Sequence, residues 1–161
     1  MRRIIVITVL VFTFFIIEFL FFNIVGWWFN PQMLLLLIMF FNLYLGVRYG
    51  LYSAILAGIL KDSFSASVFG FNIVTFIIDA YMTTFLRKYI YYRGSRLSRL
   101  ILVFSVCCVD FCSRLVLNAI LGSFDWWEAV RFAFVPTLIT TLLLTTTSFR
   151  ELRQCVSRLF V

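Results

Sequence analysis

Three long apolar runs limit the folds open to this chain more than any other feature. They cover residues 4–25, 100–121 and 130–148. A helix needs ~20 apolar residues to cross a bilayer, and in lipid it satisfies its backbone hydrogen bonds internally. The chain is also 63% hydrophobic and only 13% charged, whereas soluble domains are about 45–50% apolar. We therefore expect an all-α, polytopic membrane helix bundle.

Three shorter apolar segments lie between the first two of these runs. Asn30 and Pro31 predict the start of the first segment, because Asn is a favourable N-cap and Pro suits the first helical turn. Arg48, Tyr49 and Gly50 predict a tight break after it. The six predicted spans are residues 4–25, 33–47, 51–64, 71–86, 100–121 and 130–148. Residues 1–161 are expected to form a single integral membrane domain, with five spans as the alternative.

Basic residues set the expected orientation and account for the net charge of +7. They cluster at residues 2–3, 87–99 and 150–158, and cytoplasmic loops carry an excess of Lys and Arg. Six spans with both termini in the cytoplasm place all three clusters inside, next to anionic lipid, so nucleic acid is not an expected partner. Two tryptophan pairs would then lie at the outer interface: Trp27, Trp28, Trp126 and Trp127.

Small residues recur through residues 50–72, where the surrounding sequence is mostly bulky and apolar. Small residues let membrane helices approach closely, so this stretch predicts a helix contact face. Whether the face docks a partner helix or the protein's own bundle stays open. Asp62 is either an interfacial neighbour of Lys61 or a cap for the next segment. The predicted contact residues are Gly50, Ala54, Gly58, Asp62 and Gly70.

A second set of polar residues falls inside the predicted spans and should face the bundle interior. Asp110 and Arg114 have the favourable order for an ion pair within one helix, although Arg114 can instead reach Asp79. Only one clearly embedded base faces three embedded carboxyls, so at least one carboxyl is expected to be protonated. The set comprises Glu18, Asn72, Asp79, Asp110 and Arg114.

The composition argues against an enzyme. The chain has no histidine, and its acids are scattered over different spans, whereas lipid-active enzymes need clustered acids or a nucleophile with a base. We expect no catalytic residue, no metal ligand and no cofactor. The four cysteines are expected to be reduced packing residues: Cys107, Cys108, Cys112 and Cys155.

The middle of the chain resembles the MreD family of bacterial rod shape-determining membrane proteins. The family's G…G-x-x-x-D…G core matches Gly50, Gly58, Asp62 and Gly70. The resemblance implies a non-enzymatic inner-membrane component of the cell-elongation and peptidoglycan synthesis machinery. Its implied partners are the bitopic protein MreC and, through it, MreB, RodA and its transpeptidase. The implied fold is that of the substrate-binding subunits of energy-coupling-factor transporters.

A substrate-capture subunit of a vitamin transporter is the main rival interpretation. It would share the size, the span count and the small-residue helices. It would also need polar and aromatic side chains near the outer face, and a vitamin retained through purification would favour it. The candidate residues are Asn23, Trp27, Trp28, Trp126 and Trp127.

Overall fold

Every element that the structure describes is a helix. This computed structural model describes residues 2–25, 32–64, 68–90, 96–121 and 138–145, and these ranges contain no strand. The last range is a sixth helical stretch, within the predicted span 130–148. The all-α prediction is therefore confirmed. The five longer helices are α1 (Arg2–Val25), α2 (Met33–Tyr44), α3 (Val47–Phe64), α4 (Phe71–Ile90) and α5 (Arg96–Leu121).

Among the described residues, two helices are clearly long and apolar enough to cross a membrane. They are Arg3–Ile24 within α1, with a mean hydropathy of 2.9, and Leu100–Ile120 within α5, with a mean hydropathy of 2.2. The α2 helix is apolar but has only 12 residues, about 18 Å at 1.5 Å per residue. It is shorter than a ~30 Å hydrocarbon core and lies inside the bundle, with its residues 34–43 all buried.

The break between α2 and α3 lies at Gly46, so its prediction at Arg48–Gly50 was wrong. Gly46 has φ +99°, a conformation that glycine adopts without steric cost. The N–H groups of Leu45 and Gly46 both donate to the carbonyl of Phe41, at 2.8 and 3.1 Å, which closes α2. Gly50 N already donates to Gly46 O at 3.1 Å, so Gly50 belongs to α3.

The helices on either side of the basic loop are longer than predicted. The α4 helix starts at Phe71 as predicted but continues to Ile90 instead of residue 86, and α5 starts at Arg96 instead of residue 100. Lys and Arg are good helix formers, so hydropathy underestimates these ends. Gly70, with φ +100°, turns the chain into α4.

The described helices pack around α2, α3 and α4. The α3 helix contacts α1, α2 and α4, and α4 also contacts α2 and α5. The outer faces of α1 and α5 carry exposed Ile, Val and Phe side chains, as lipid-facing helices do. The fully buried apolar core includes Ile7, Val11, Leu34, Leu35, Leu37, Ile38, Met39, Phe40, Phe41, Ala54, Ala57, Phe76, Ala80, Leu102, Val103 and Val106.

Candidate functional site

The small-residue face of α3 lies against the protein's own helices. Gly50, Ala54 and Gly58 are all buried. A Cβ atom added at Gly58 would lie 2.5 Å from Ile73 Cα on α4, and one added at Gly50 would lie 2.8 Å from Asn42 Cβ on α2. The sequence left open whether this face docks a partner helix or the protein's own bundle. In the described residues it packs against the protein's own helices. Gly70 lies apart from the face, in the turn before α4, with open space around it.

Asp62 caps the start of α4. Its Oδ2 accepts hydrogen bonds from Gly70 N at 2.9 Å and Ile73 N at 3.3 Å, and its Oδ1 accepts from Asn72 N at 3.0 Å and Asn72 Nδ2 at 2.8 Å. The first N–H groups of a helix have no partner within the helix, and the N-terminus favours negative charge. Asp62, at the end of α3, provides both the hydrogen-bond acceptors and the negative charge. The capping alternative is confirmed.

Glu18 joins three helices through one carboxylate. Its Oε1 accepts a 2.7 Å hydrogen bond from Lys61 Nζ on α3, and its Oε2 accepts a 3.0 Å bond from Leu34 N in the first turn of α2. Glu18 is 6% exposed, so its charge is largely removed from solvent. The sequence predicts Glu18 in the interior but does not identify Lys61 as its partner. No local pattern links two residues 43 positions apart.

Asp110 and Arg114 form the predicted pair within α5. Arg114 Nε lies 2.9 Å from Asp110 Oδ1 and 3.0 Å from Oδ2. The pair reaches beyond its own helix, because Gln32 Nε2 donates to Asp110 Oδ2 at 2.9 Å and Arg114 Nη1 donates to Asn72 Oδ1 at 3.0 Å. The ion pair therefore ties α5 to the segment before α2 and to the start of α4. Gln32 was not among the predicted residues.

Four polar residues spaced three or four apart on α4 face the interior, and two of them, Asn72 and Asp79, were predicted to do so. Asn72, Thr75, Asp79 and Thr83 are each at most 3% exposed. The two threonines bond to their own helix: Thr75 Oγ1 donates to Asn72 O at 3.0 Å and Thr83 Oγ1 to Asp79 O at 2.6 Å. In the described part of the chain, neither carboxylate oxygen of Asp79 has a hydrogen-bond partner, and Arg114 Nη2 has none either. No hydrogen bond therefore joins Arg114 to Asp79, the alternative partner.

The arrangement suits helix packing better than chemistry. The described carboxylates accept hydrogen bonds from cations, amides and backbone N–H groups, with Asp79 as the exception. Over the described ranges, no three His, Cys, Asp or Glu side chains group in a way that could hold a metal ion. Cys107, Cys108 and Cys112 are free thiols on α5, and Cys155 lies outside the described residues.

Most of the residues on which the vitamin-binding interpretation depends lie outside the described part of the chain. These are Trp27, Trp28, Trp126 and Trp127. The fifth, Asn23, donates its side-chain amide to Phe19 O at 3.2 Å, within its own helix.

Comparison with known proteins agrees with the pattern in the middle of the chain. The family model for rod shape-determining protein MreD matches residues 1–148, a range that includes every described helix. No curated protein and no solved structure matches the chain. The family match covers most of the 161 residues, far beyond the central glycine and aspartate pattern. The chain therefore belongs to the MreD family of rod shape-determining proteins.

Proposed function

We propose that this protein is a non-enzymatic membrane component of the bacterial cell-elongation machinery and that it docks the transmembrane helix of MreC. The family match over residues 1–148 carries the proposal, because membership implies a role in rod-shape determination at the inner membrane. Through MreC the protein would connect MreB filaments with RodA and its transpeptidase. Both termini and the basic residues 87–99 would lie on the cytoplasmic side.

The small-residue face of α3 is one candidate docking surface. In the arrangement described above, α2 and α4 already cover Gly50 and Gly58, and Asp62 is saturated by the cap of α4. A partner helix that used this face would have to displace the protein's own helices. That cost favours a surface that the described helices leave open.

A groove between α4 and α5 offers such a surface. It has a volume of about 390 Å³ and an almost wholly apolar lining. Cys108 and Cys112 stand four residues apart in it, and small side chains at this spacing let a second helix approach closely in a membrane. We assign this groove to the MreC helix. Its lining comprises Ile78, Cys108, Val109, Cys112, Ser113, Val116 and Leu117.

Filling the groove should separate docking from folding. Cys112→Phe places a large ring in the groove on an exposed position of α5. We expect it to lower the amount of MreC that co-purifies with the folded protein from mild detergent by about tenfold, a loss of ~1.4 kcal/mol in binding. The matched control is Ile16→Phe, which adds a ring at a 54% exposed position of α1 and should leave co-purification unchanged.

Two results would count against these assignments in different ways. If Cys112→Phe retained as much MreC as the unaltered protein, the groove would not be the docking surface, and the small-residue face of α3 would be the remaining candidate. Failure of the unaltered protein to retain MreC at all would contradict the proposed function itself. A vitamin retained in place of MreC would favour the transporter interpretation.

A further inference from the structure

Asp79 is the one described carboxylate whose burial the neighbouring residues leave uncompensated. It lies in the middle of α4, is 0% exposed, and neither of its oxygens accepts a hydrogen bond from the described residues. Glu18, Asp62 and Asp110 are nearly as buried, but each accepts at least two hydrogen bonds. An ionised carboxylate without such partners is very costly in an apolar interior.

The positive charges near Asp79 make their hydrogen bonds to other groups. On α5, Arg114 gives its Nε to both oxygens of Asp110 and its Nη1 to Asn72, and its remaining Nη2 makes no hydrogen bond to Asp79 or to any other described residue. On α3, Lys61 is paired with Glu18 of α1 at 2.7 Å. The α2 helix contains no charged residue, and residues 138–145 contain only Leu, Ile and Thr. Cys107 on α5 also faces Asp79, and its thiol brings no positive charge.

A second carboxyl faces Asp79. It belongs to Asp110 on α5, and a side-chain hydrogen bond can join the two groups once one of them carries a proton. With both groups ionised, two buried negative charges would share the single charge of Arg114. Like charges at this range cannot both be ionised at low cost, and pairs of this kind hold one proton between them.

We propose that Asp79 and Asp110 form a proton-binding site between α4 and α5, in which Asp79 carries the proton and donates it in a hydrogen bond to Asp110. The donors around Asp110 decide which carboxyl is protonated. Asp110 accepts from Arg114 Nε and Gln32 Nε2, and hydrogen bonds to the charged form favour that form. The site then holds one neutral acid and one neutralised ion pair, with no net charge.

The proton would hold together more than two side chains. The same Asp110–Arg114 pair contacts Gln32, before α2, and Asn72, at the start of α4. Removing the proton adds a negative charge beside this pair and replaces an attractive contact between α4 and α5 with a repulsive one. The packing of α4 against α5 therefore depends on a bound proton.

Infrared spectroscopy of the purified full chain tests the site directly. The expected spectrum at neutral pH contains the carbonyl stretch of a protonated carboxyl, and Asp79→Asn removes this band. Glu18→Gln is the matched control, because both Glu18 oxygens accept hydrogen bonds, from Lys61 and from Leu34 N, so the band should persist. Absence of the band in the unaltered protein, or its persistence in Asp79→Asn, would overturn the proposal. The first result would mean that Asp79 is ionised and that the positive charge of Arg114 stabilises it.

A pH titration of the unaltered protein, compared with Asp79→Asn, supplies a second measurement. The carboxyl band should fade as the pH is raised, and the thermal midpoint in detergent should fall over the same range. Asn mimics the neutral acid in size and as a donor, so Asp79→Asn should keep its midpoint over the same alkaline range. Equal falls in the thermal midpoints of the two proteins would contradict a titrating proton at Asp79. A carboxyl band that stays constant with pH until the protein unfolds would contradict it as well.

Discussion

Gly58 has no room for even one added carbon. A Cβ atom there would lie 2.5 Å from Ile73 Cα and 2.9 Å from Ile73 N, so the backbone of α4 would have to move. We expect Gly58→Ala to lower the free energy of unfolding in detergent by ~1–3 kcal/mol, the usual cost of overpacking a well-packed core. Trimming Ile73 to Ala should not fully restore the loss, because it removes Ile73 Cγ1 at 2.8 Å but leaves the nearest atom, the backbone Cα.

Thermal unfolding of the purified variants checks this expectation. Ile59→Leu serves as the control, because Ile59 is 40% exposed on the same helix and the substitution conserves volume. Equal midpoints for Gly58→Ala and the unaltered protein would contradict the close approach of α3 and α4. The same geometry implies that Gly58→Leu would reduce folded protein, so lost MreC binding in that variant would not by itself identify a docking face.

Asp62 stabilises α4 through both oxygens, so its two simplest substitutions should differ. Asp62→Ala leaves the N–H groups of Gly70, Asn72 and Ile73 without their acceptor. Loss of a cap typically costs about 0.5–2 kcal/mol. Asp62→Asn keeps one acceptor oxygen, so we expect a smaller loss of thermal stability. A midpoint for Asp62→Ala at or above that of Asp62→Asn would count against the capping role.

Residue chemistry was predictable from the sequence, whereas most partners were not. Asp110 and Arg114 were paired correctly because four residues on one helix fix their separation. Asp62 was recognised as a possible cap, because the segment that follows it begins a new helix. Lys61 and Glu18 lie 43 residues apart. Their contact depends on which faces of α1 and α3 meet, and no local spacing contains that information.

Among the helices, α1 is attached to the bundle by an ion pair as well as by apolar packing. Lys61 Nζ lies 2.7 Å from Glu18 Oε1, and the two side chains are 24% and 7% exposed. Removing one partner leaves the other charge buried, whereas removing both leaves none. We expect Glu18→Gln combined with Lys61→Met to be more stable than Glu18→Gln alone, with a coupling of about 1–2 kcal/mol.

A double-mutant cycle on thermal or denaturant unfolding measures that coupling. The reference pair is Glu18→Gln with Phe85→Leu, since Phe85 is 59% exposed on α4 and makes no contact in the ion pair. The free energies of these two changes should add. Additive behaviour of Glu18→Gln and Lys61→Met as well would show that the pair does not hold α1 to α3.

Helix existence followed from hydropathy, but one boundary depended on backbone conformation. The α1 and α4 starts lie within two residues of their predicted positions. The sequence predicts the α2–α3 break at Arg48, Tyr49 and Gly50, yet Gly46 makes the turn. Glycine after a helix is the usual site of positive φ, so Gly46 was the detectable signal. No local sequence pattern indicates that α4 is the helix that packs against Gly58.

At the scale of the whole molecule, the proposed topology makes opposite predictions for the two loops that flank α5. Residues 87–99 are strongly basic and should stay in the cytoplasm, since cytoplasmic loops carry the excess of Lys and Arg. The segment that follows α5 contains two acids and two tryptophans, Asp125, Trp126, Trp127 and Glu128, and should reach the outer interface, where tryptophan is enriched. One crossing by α5, at 26 residues, is long enough to separate them.

Single cysteines introduced at Ser95 and Ser123 can show on which side of the membrane each loop lies in cells. The parent protein would lack Cys107, Cys108, Cys112 and Cys155 and should not react with a membrane-impermeant maleimide. We expect Ser123→Cys to react in intact spheroplasts and Ser95→Cys to react only after the membrane is opened. If Ser95→Cys reacted from outside, the orientation of the bundle would be the opposite of the proposed one. The basic loop would then lie on the side of the membrane away from MreB, whose filaments lie in the cytoplasm. The proposed link from MreB through MreC to the synthases would then need a different cytoplasmic surface, because residues 87–99 would no longer face that side of the membrane.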